Sequence, residues 1–245
     1  MAELRDYTSF RVGGPAKNFV EVATEDEIIA AIESAGDSPI LIMGGGTNVL
    51  ISDSGFEGTV IRIANNATES EVDACSGATL TIGAGENWDE FVLWCIERGY
   101  AGIEAMSGIP GSVGATPVQN VGAYGQEVSQ VITAAEFLNF ETQQVELQPA
   151  SFFEFSYRNS ALKRGLRGVI GSIDFRLKKL DGLSVPMASG QITNHVGADY
   201  GSQLPIKQVR EVVLELRSSK GMVVKDSDPN SVSCGSFFTN PVVSH

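Results

Sequence analysis

The sequence has 245 residues, 42% of them hydrophobic, enough to bury a sizeable core in one large domain or in two to three small ones. Its formal net charge of -13 argues against nucleic acid and anionic membranes as partners. Two histidines, His195 and His245, and three cysteines, Cys75, Cys95 and Cys234, stand at no metal-binding spacing, which excludes a zinc cluster and points to free thiols in a reducing compartment.

The first residues carry no apolar signal segment, and no run approaches the roughly 18 continuous apolar residues of a membrane span. A soluble, cytoplasmic protein without membrane insertion is the expectation. The acidic balance sets a condition on ligands. Any phosphate must be held by local backbone donors or by a few well-placed cations, because the overall field repels it.

In chain order, residues 18–23 read as a strand. Thr24 and Glu27 form a capping box ahead of a helix that buries Ile28, Ile29 and Ile32 and ends near Gly36. A short apolar strand over 39–43 runs into Gly44-Gly45-Gly46-Thr47-Asn48-Val49-Leu50, and another strand follows at 59–63. Residues 79–82 are a strand, and Asn87 caps a helix that turns Phe91, Val92 and Cys95 inward and closes at Gly99. Residues 107–125 are too rich in Gly and small residues for an ordinary helix or strand. Residues 132–140 and 144–147 read as an antiparallel hairpin, and 169–177 as a further strand. Pro205 opens a helix with Ile206, Val209, Val213 and Leu216 on one face. Strands and helices mix without a regular βαβ beat, so the fold class is α+β.

Four motifs carry chemistry, each with a plain alternative. Gly44-Gly45-Gly46-Thr47-Asn48 follows a strand and can aim several N–H groups at one phosphate, or it is a tight turn. The run from Ser107 to Gly125 holds five glycines and two prolines, suited to a backbone wrapped on a ligand, or it is a buried irregular loop. Tyr157-Arg158 ends an apolar stretch, as a site pair or as a solvated edge. Cys234-Gly235-Ser236-Phe237-Phe238 would hold the Ser236 hydroxyl in a dry setting, as a proton donor or as part of a strand–turn. No run matches G-x-G-x-x-G: from Gly83, Trp88 falls where the third glycine belongs.

Taken in order, these motifs resemble the UDP-N-acetylenolpyruvoylglucosamine reductase family. The resemblance runs from Thr8-Ser9-Phe10-Arg11-Val12-Gly13-Gly14-Pro15-Ala16 through Gly44 to Leu50, Gly83 to Trp88, Ile109-Pro110-Gly111 and Gln119 to Gly125. It continues through Tyr157-Arg158-Asn159-Ser160 to Gly235-Ser236-Phe237-Phe238 and Asn240-Pro241. It implies a vanillyl-alcohol-oxidase-type FAD-binding fold of two subdomains, 1–66 and 67–204, with 205–245 opening a substrate-binding domain. It implies FAD as cofactor, NADPH as co-substrate and a nucleotide-sugar enolpyruvyl ether as substrate, reduced by hydride in peptidoglycan synthesis. The cofactor would be cradled by Gly44, Gly45, Gly46, Thr47, Asn48 and Val49, and by Ile109, Pro110, Gly111, Gly114, Ala115, Thr116, Gln119, Asn120, Gly122, Ala123, Tyr124 and Gly125. Arg158 would stabilise enolate charge, Ser236 would donate a proton, and Tyr157, Lys220 and Asn240 would contact substrate.

Three departures from the family pattern stand out. Thr239 replaces a usual Lys, Met187-Ala188-Ser189-Gly190 stands where many members carry a lid tyrosine, and a late glutamate of the family falls beyond His245. The expectation from these is a truncated chain of impaired turnover, whose helix after Pro205 is mobile or packs on a neighbouring copy. Another flavin oxidoreductase of the same fold, or a non-catalytic FAD or nucleotide-sugar binding fragment, are the alternatives. Oligomeric state is not legible.

Overall fold

A computed structural model describes residues 2–73, 77–225, 227–235, 239–241 and 243. The first unit is a small parallel sheet. Strand β1 (Ala16–Val22) leads into helix α1 (Glu25–Ala35), which returns to β2 (Ile40–Met43), and β3 (Phe56–Ile63) inserts between the two strands. Thr24 caps α1 by accepting from the Glu27 N–H at 3.2 Å, as expected. The Glu27 carboxylate reaches back one residue further than a capping box requires, to the Ala23 N–H at 2.7 Å. Glu25, Asp26 and Glu27 in the first turn meet the positive end of the helix dipole. Because all three strands run parallel, their C-terminal ends share one edge, from which Ala23, Gly44 and Ala64 emerge.

The second unit is antiparallel. Strands β4 (Thr68–Asp73), β5 (Gly77–Gly83), β9 (Ile132–Asn139), β10 (Gln144–Pro149) and β11 (Gly168–Lys179) lie in the order β10-β9-β11-β5-β4. The short β6 (Tyr100–Ala101) pairs with the far end of β11, and a separate ladder joins β7 (Gly122–Ala123) to β8 (Gln126–Glu127). Helix α2 (Trp88–Glu97) is capped by Asn87, which accepts from the Glu90 N–H at 3.1 Å. It lays Trp88, Phe91, Val92 and Cys95 against Phe175 of β11, with Phe91 and Phe175 rings 5.1 Å apart. One continuous core joins both sheets, from Ile28 and Ile61 to Leu80, Ile82 and Phe175. No helix among the described residues is long and apolar enough to cross a membrane.

The C-terminal part holds α3 (Gly190–Val196) and α4 (Ile206–Ser218). The expectation of an uncovered α4 is corrected here. Val209 and Val213 are fully buried in a second cluster with Ala105, Met187, Ile192 and Leu204 of the same chain. Arg210 adds a two-armed bond to Asp89 of α2, Nη1–Oδ1 at 2.6 Å and Nη2–Oδ2 at 2.9 Å. Apolar partners for this face come from residues 105–204, a stretch in which the sequence pattern marked no helix.

Glu104 stands at this junction, fully buried. Its carboxylate accepts from the Gly102 N–H at 2.5 Å and from the Val185 N–H at 3.2 Å, tying the turn after β6 to the segment that leads into α3. Burial pushes this carboxyl above its ordinary 4.5, and those bonds only partly offset the shift. A raised folded pKa adds stability that is full below about pH 4.5 and is lost as pH rises through the folded value. Glu104→Gln removes that dependence. The wild-type melting temperature, measured relative to the variant from about pH 4 to about pH 8, is expected to fall as pH rises; a constant difference would contradict an ionisable, desolvated Glu104.

Candidate functional site

After Met43 the chain turns through Gly44, Gly45 and Gly46, and each of the three approaches another backbone closely. A Cβ on Gly46, at φ 62, would overlap the Tyr7 carbonyl, and one on Gly44 would overlap Ser112 Oγ. On Gly45 it would stand 2.9 Å from Gly111 Cα. Gly111, at φ 127, in turn lies under Thr47, whose hydroxyl donates to the Pro110 carbonyl at 3.2 Å across 63 positions of sequence. The two glycine-rich segments therefore meet backbone to backbone.

Backbone donors are concentrated there. Among the described residues, the N–H groups of Gly45, Gly46, Thr47, Asn48, Gly111 and Ser112 donate to no protein acceptor. Clustered unpaired N–H groups are the means by which an acidic protein can hold an anion. Val113 and Gly114 anchor the second segment by donating to Glu86 O at 2.9 Å and Ala84 O at 2.8 Å. A cavity of about 260 Å³ lies at the same sheet edge, lined by Thr24, Glu25, Asn65, Glu136 and Gly171 among others. Burial first and Glu136 second raise the Glu25 carboxyl.

Arg158 lies where the second segment closes. Its Nη1 donates to the Asn120 carbonyl at 3.0 Å and to Glu127 Oε1 at 3.2 Å, and its Nη2 to the Gly122 carbonyl at 2.6 Å. A guanidinium has five N–H donors. Both Nη atoms are engaged, and among the described residues Nε, which shares one edge of the fork with Nη2, donates to no protein acceptor. A Cβ on Gly122 would overlap the Gln126 carbonyl and crowd Glu127 Cγ and Arg158 Nη1, so glycine is needed where β7 meets β8. Asn120, Tyr124 and Arg158 are all non-glycine residues at positive φ, 45, 50 and 51 degrees. Such strain persists only where surrounding contacts over-determine it, and it concentrates at functional sites.

Not every expected residue faces a ligand. Both donors of the buried Asn120 amide are spent, on Glu127 Oε2 at 2.9 Å and Ser156 O at 3.0 Å, so its side chain builds the Arg158 socket. Thr116 is buried and donates its hydroxyl to Val113 O at 2.8 Å. Tyr157 is exposed, with Arg158 5.0 Å above its ring. Lys220 is exposed just beyond α4, and Asn240 is exposed as well. The last turn of α4 is held to the second segment by Arg217, buried, which donates through Nε to Gly108 O at 3.3 Å. Burial lowers the Arg217 pKa, and burial raises that of the neighbouring Tyr124 phenol, with Arg217 opposing. Ser236 lies outside the described residues. Its neighbour Cys234 stands 3.8 Å, sulfur to oxygen, from Ser9, whose N–H donates to Gly46 O at 3.1 Å. Met187 is buried and Ala188 abuts Gly125. Glu127 and Arg217 were not singled out in the sequence, because each acts through contacts made by folding.

Several known proteins similar in sequence to this chain share one description. Residues 16–147 match the family described as FAD binding domain. The chain is 42% identical over 245 residues to the UDP-N-acetylenolpyruvoylglucosamine reductase of Thermobifida fusca, covering 98% of this chain and 68% of that protein. It is 43% identical over 247 residues to the protein of the same name from Leifsonia xyli, covering 97% of this chain and 65% of that one. The crystal structure of UDP-N-acetylenolpyruvylglucosamine reductase from Thermus caldophilus matches with a TM-score of 0.68 at 26% identity, over 98% of this chain and 74% of that one. The chain thus spans about two thirds of the length of these curated relatives.

The close approach at Gly46 is testable without any ligand. Gly46→Ala combines an unfavourable φ with overlap on Tyr7, and costs more than about 1 kcal/mol, or roughly 2–4 °C per kcal/mol for a chain of this size. Gly36→Ala is the control, since Gly36 has φ 52 and nothing within 4 Å of an added Cβ. Calorimetry should show a clearly larger drop for Gly46→Ala; equal drops would mean that the loop is not packed as described.

Proposed function

This chain belongs to the UDP-N-acetylenolpyruvoylglucosamine reductase family, and from that premise we propose that it binds FAD and reduces the enolpyruvyl ether of UDP-N-acetylglucosamine to UDP-N-acetylmuramate with NADPH, a step of peptidoglycan synthesis. The observation that carries the reading is the contact of the Gly44–Asn48 turn with Gly111–Ser112, which gathers unpaired N–H groups in a protein of net charge -13. Those residues fit a dinucleotide diphosphate: the donors are backbone, and no side-chain cation is required.

When bound, FAD supplies the hydride-transfer chemistry that the side chains themselves lack. Gly45, Gly46, Thr47 and Asn48, with Gly111 and Ser112, hold the diphosphate. Arg158 presents its free Nε–Nη2 edge to the substrate carboxylate and stabilises the negative charge that grows there. Ser236 protonates the carbon that bears the carboxylate, and Tyr157, Lys220 and Asn240 contact the nucleotide sugar. The division into units at 1–66 and 67–204 is supported by the parallel strands falling before residue 66 and the antiparallel ones after 67. A third unit from 205 onward is favoured by the family pattern, although α4 packs closely on residues 104–106.

The purified chain, loaded with FAD, is expected to be yellow. Its reduced flavin should be reoxidised faster by the enolpyruvyl nucleotide sugar than by UDP-N-acetylglucosamine, which lacks the reacting group. A chain that cannot be loaded with FAD sinks the proposal. Arg158→Lys keeps the charge and loses the planar fork. It should slow reoxidation while leaving flavin reduction by NADPH nearly intact; equal losses in the two half-reactions would place Arg158 elsewhere. Ser236→Ala should slow reoxidation by roughly 10²-fold or more, the scale of a lost general acid, with flavin content retained.

A further inference from the structure

Arg158 is held by a carboxylate that nothing in the motif pattern marks. Glu127 ends the short strand β8, 31 positions before Arg158 in sequence, and divides its two oxygens between two partners. Oε1 accepts from Arg158 Nη1 at 3.2 Å, and Oε2 accepts from Asn120 Nδ2 at 2.9 Å. Asn120 in turn offers its own carbonyl to the same Nη1 at 3.0 Å. The guanidinium is therefore fixed along its Nη1 side by a closed ring of contacts, which leaves the Nε–Nη2 edge, where Nε donates to no protein acceptor among the described residues and Nη2 also donates to Gly122 O. That edge has the two parallel donors that match the two oxygens of a carboxylate. Arg158 and Glu127 side chains are 22% and 27% exposed, so the pair is reachable from solvent but partly desolvated.

We propose that Glu127 is a positioning residue of the substrate site: it turns Arg158 so that its free edge addresses a ligand carboxylate, and with it sets the preference for the enolpyruvyl nucleotide sugar over the same nucleotide sugar without a carboxylate. The proposal rests on the function assigned above. Loss of the carboxylate by substitution to an amide cannot serve both partners, because the amide nitrogen faces a donor on one side or the other. Arg158 then keeps its two carbonyl partners but loses its one charged anchor, so the fork is held less firmly while the rest of the site is unchanged.

The test is a ratio of affinities, which requires no turnover. The FAD-loaded chain is titrated with UDP-N-acetylglucosamine and with its enolpyruvyl ether, and the change in flavin absorption gives a Kd for each. Glu127→Gln should bind UDP-N-acetylglucosamine as the wild type does and lose about tenfold in its preference for the carboxylate ligand, the scale of one charge-assisted hydrogen bond. A merely structural role would weaken both ligands alike or reduce flavin content. Arg158→Ala should lose the same preference, and the double variant should lose little more, since the two residues act as one unit. An unchanged ratio in a folded, FAD-loaded Glu127→Gln overturns the proposal. Should that variant lose its flavin, Glu127→Asp decides: one methylene shorter, it cannot hold Arg158 and Asn120 together, and a ratio less than about threefold below wild type overturns the proposal. A wild-type chain that takes up FAD but shows no preference overturns it too, and a wild-type chain that takes up no FAD removes the functional reading beneath it.

Discussion

The contact between Gly45 and Gly111 is the constraint on which the rest of the site depends. Two turns from different sheets come together with no side chain between them, one at the C-terminal end of β2 and the other on the way from α2 to β9. A Cβ on Gly45 would press on the Gly111 backbone, and one on Gly111 would press on the Thr47 hydroxyl. Because they touch, the Thr47 hydroxyl reaches Pro110, N–H groups without a protein acceptor among the described residues lie on both sides of the contact, and the second segment starts from a fixed point. From there Val113 and Gly114 fasten it to the turn after β5, and its course to Gly122 brings the carbonyls of Asn120 and Gly122 under Arg158.

The acidic surface explains why the site is built in this way. With a net charge of -13, side-chain cations placed near a diphosphate would be drawn into pairs with the surrounding carboxylates. Unpaired backbone donors cannot be neutralised so, and they cost no side-chain entropy when a ligand arrives. Arg158 is the exception, and it is treated as one. Its charge is met by Glu127, while two carbonyls satisfy further donors without adding charge, which leaves it cationic yet held. The left-handed backbone at Asn120, Tyr124 and Arg158 is the strain that this arrangement stores.

Much of the local structure was legible in the sequence because it is set by near neighbours. Thr24 and Asn87 cap their helices as read, Gly36 and Gly99 close them at positive φ, and the 132–147 hairpin pairs in the expected sense. The strand β4 was missed because Thr68–Asp73 is polar and shows no apolar alternation, and α3 because seven residues are too few to display a helical period. The glycine segments could be named as a cradle, but not the contact between them, which spans 63 positions. Glu127 was illegible for the same reason: a single acidic residue beside a glycine-rich loop reads as a solvated charge until folding brings Arg158 and Asn120 to it.

The reading of α4 failed for an instructive cause. Its apolar face was judged against the sequence that follows it, whereas the residues that cover it, Ala105, Met187, Ile192 and Leu204, all precede it. The same packing ties the helix to the site. Asp89 accepts from the Gly108 N–H at 2.6 Å and from both arms of Arg210, while Arg217 donates to the Gly108 carbonyl. Gly108, at φ 70 and pressed against Leu214, is thus held at both its amide and its carbonyl by groups that α4 either supplies or orients. Since Gly108 is the residue from which the cradle segment departs, α4 acts as the far clamp of the same loop whose near clamp is Gly45. A loop pinned at its start by a buried arginine and at its close by Arg158 has little freedom left between, and that is what a site made mostly of backbone needs in order to keep its donors converged.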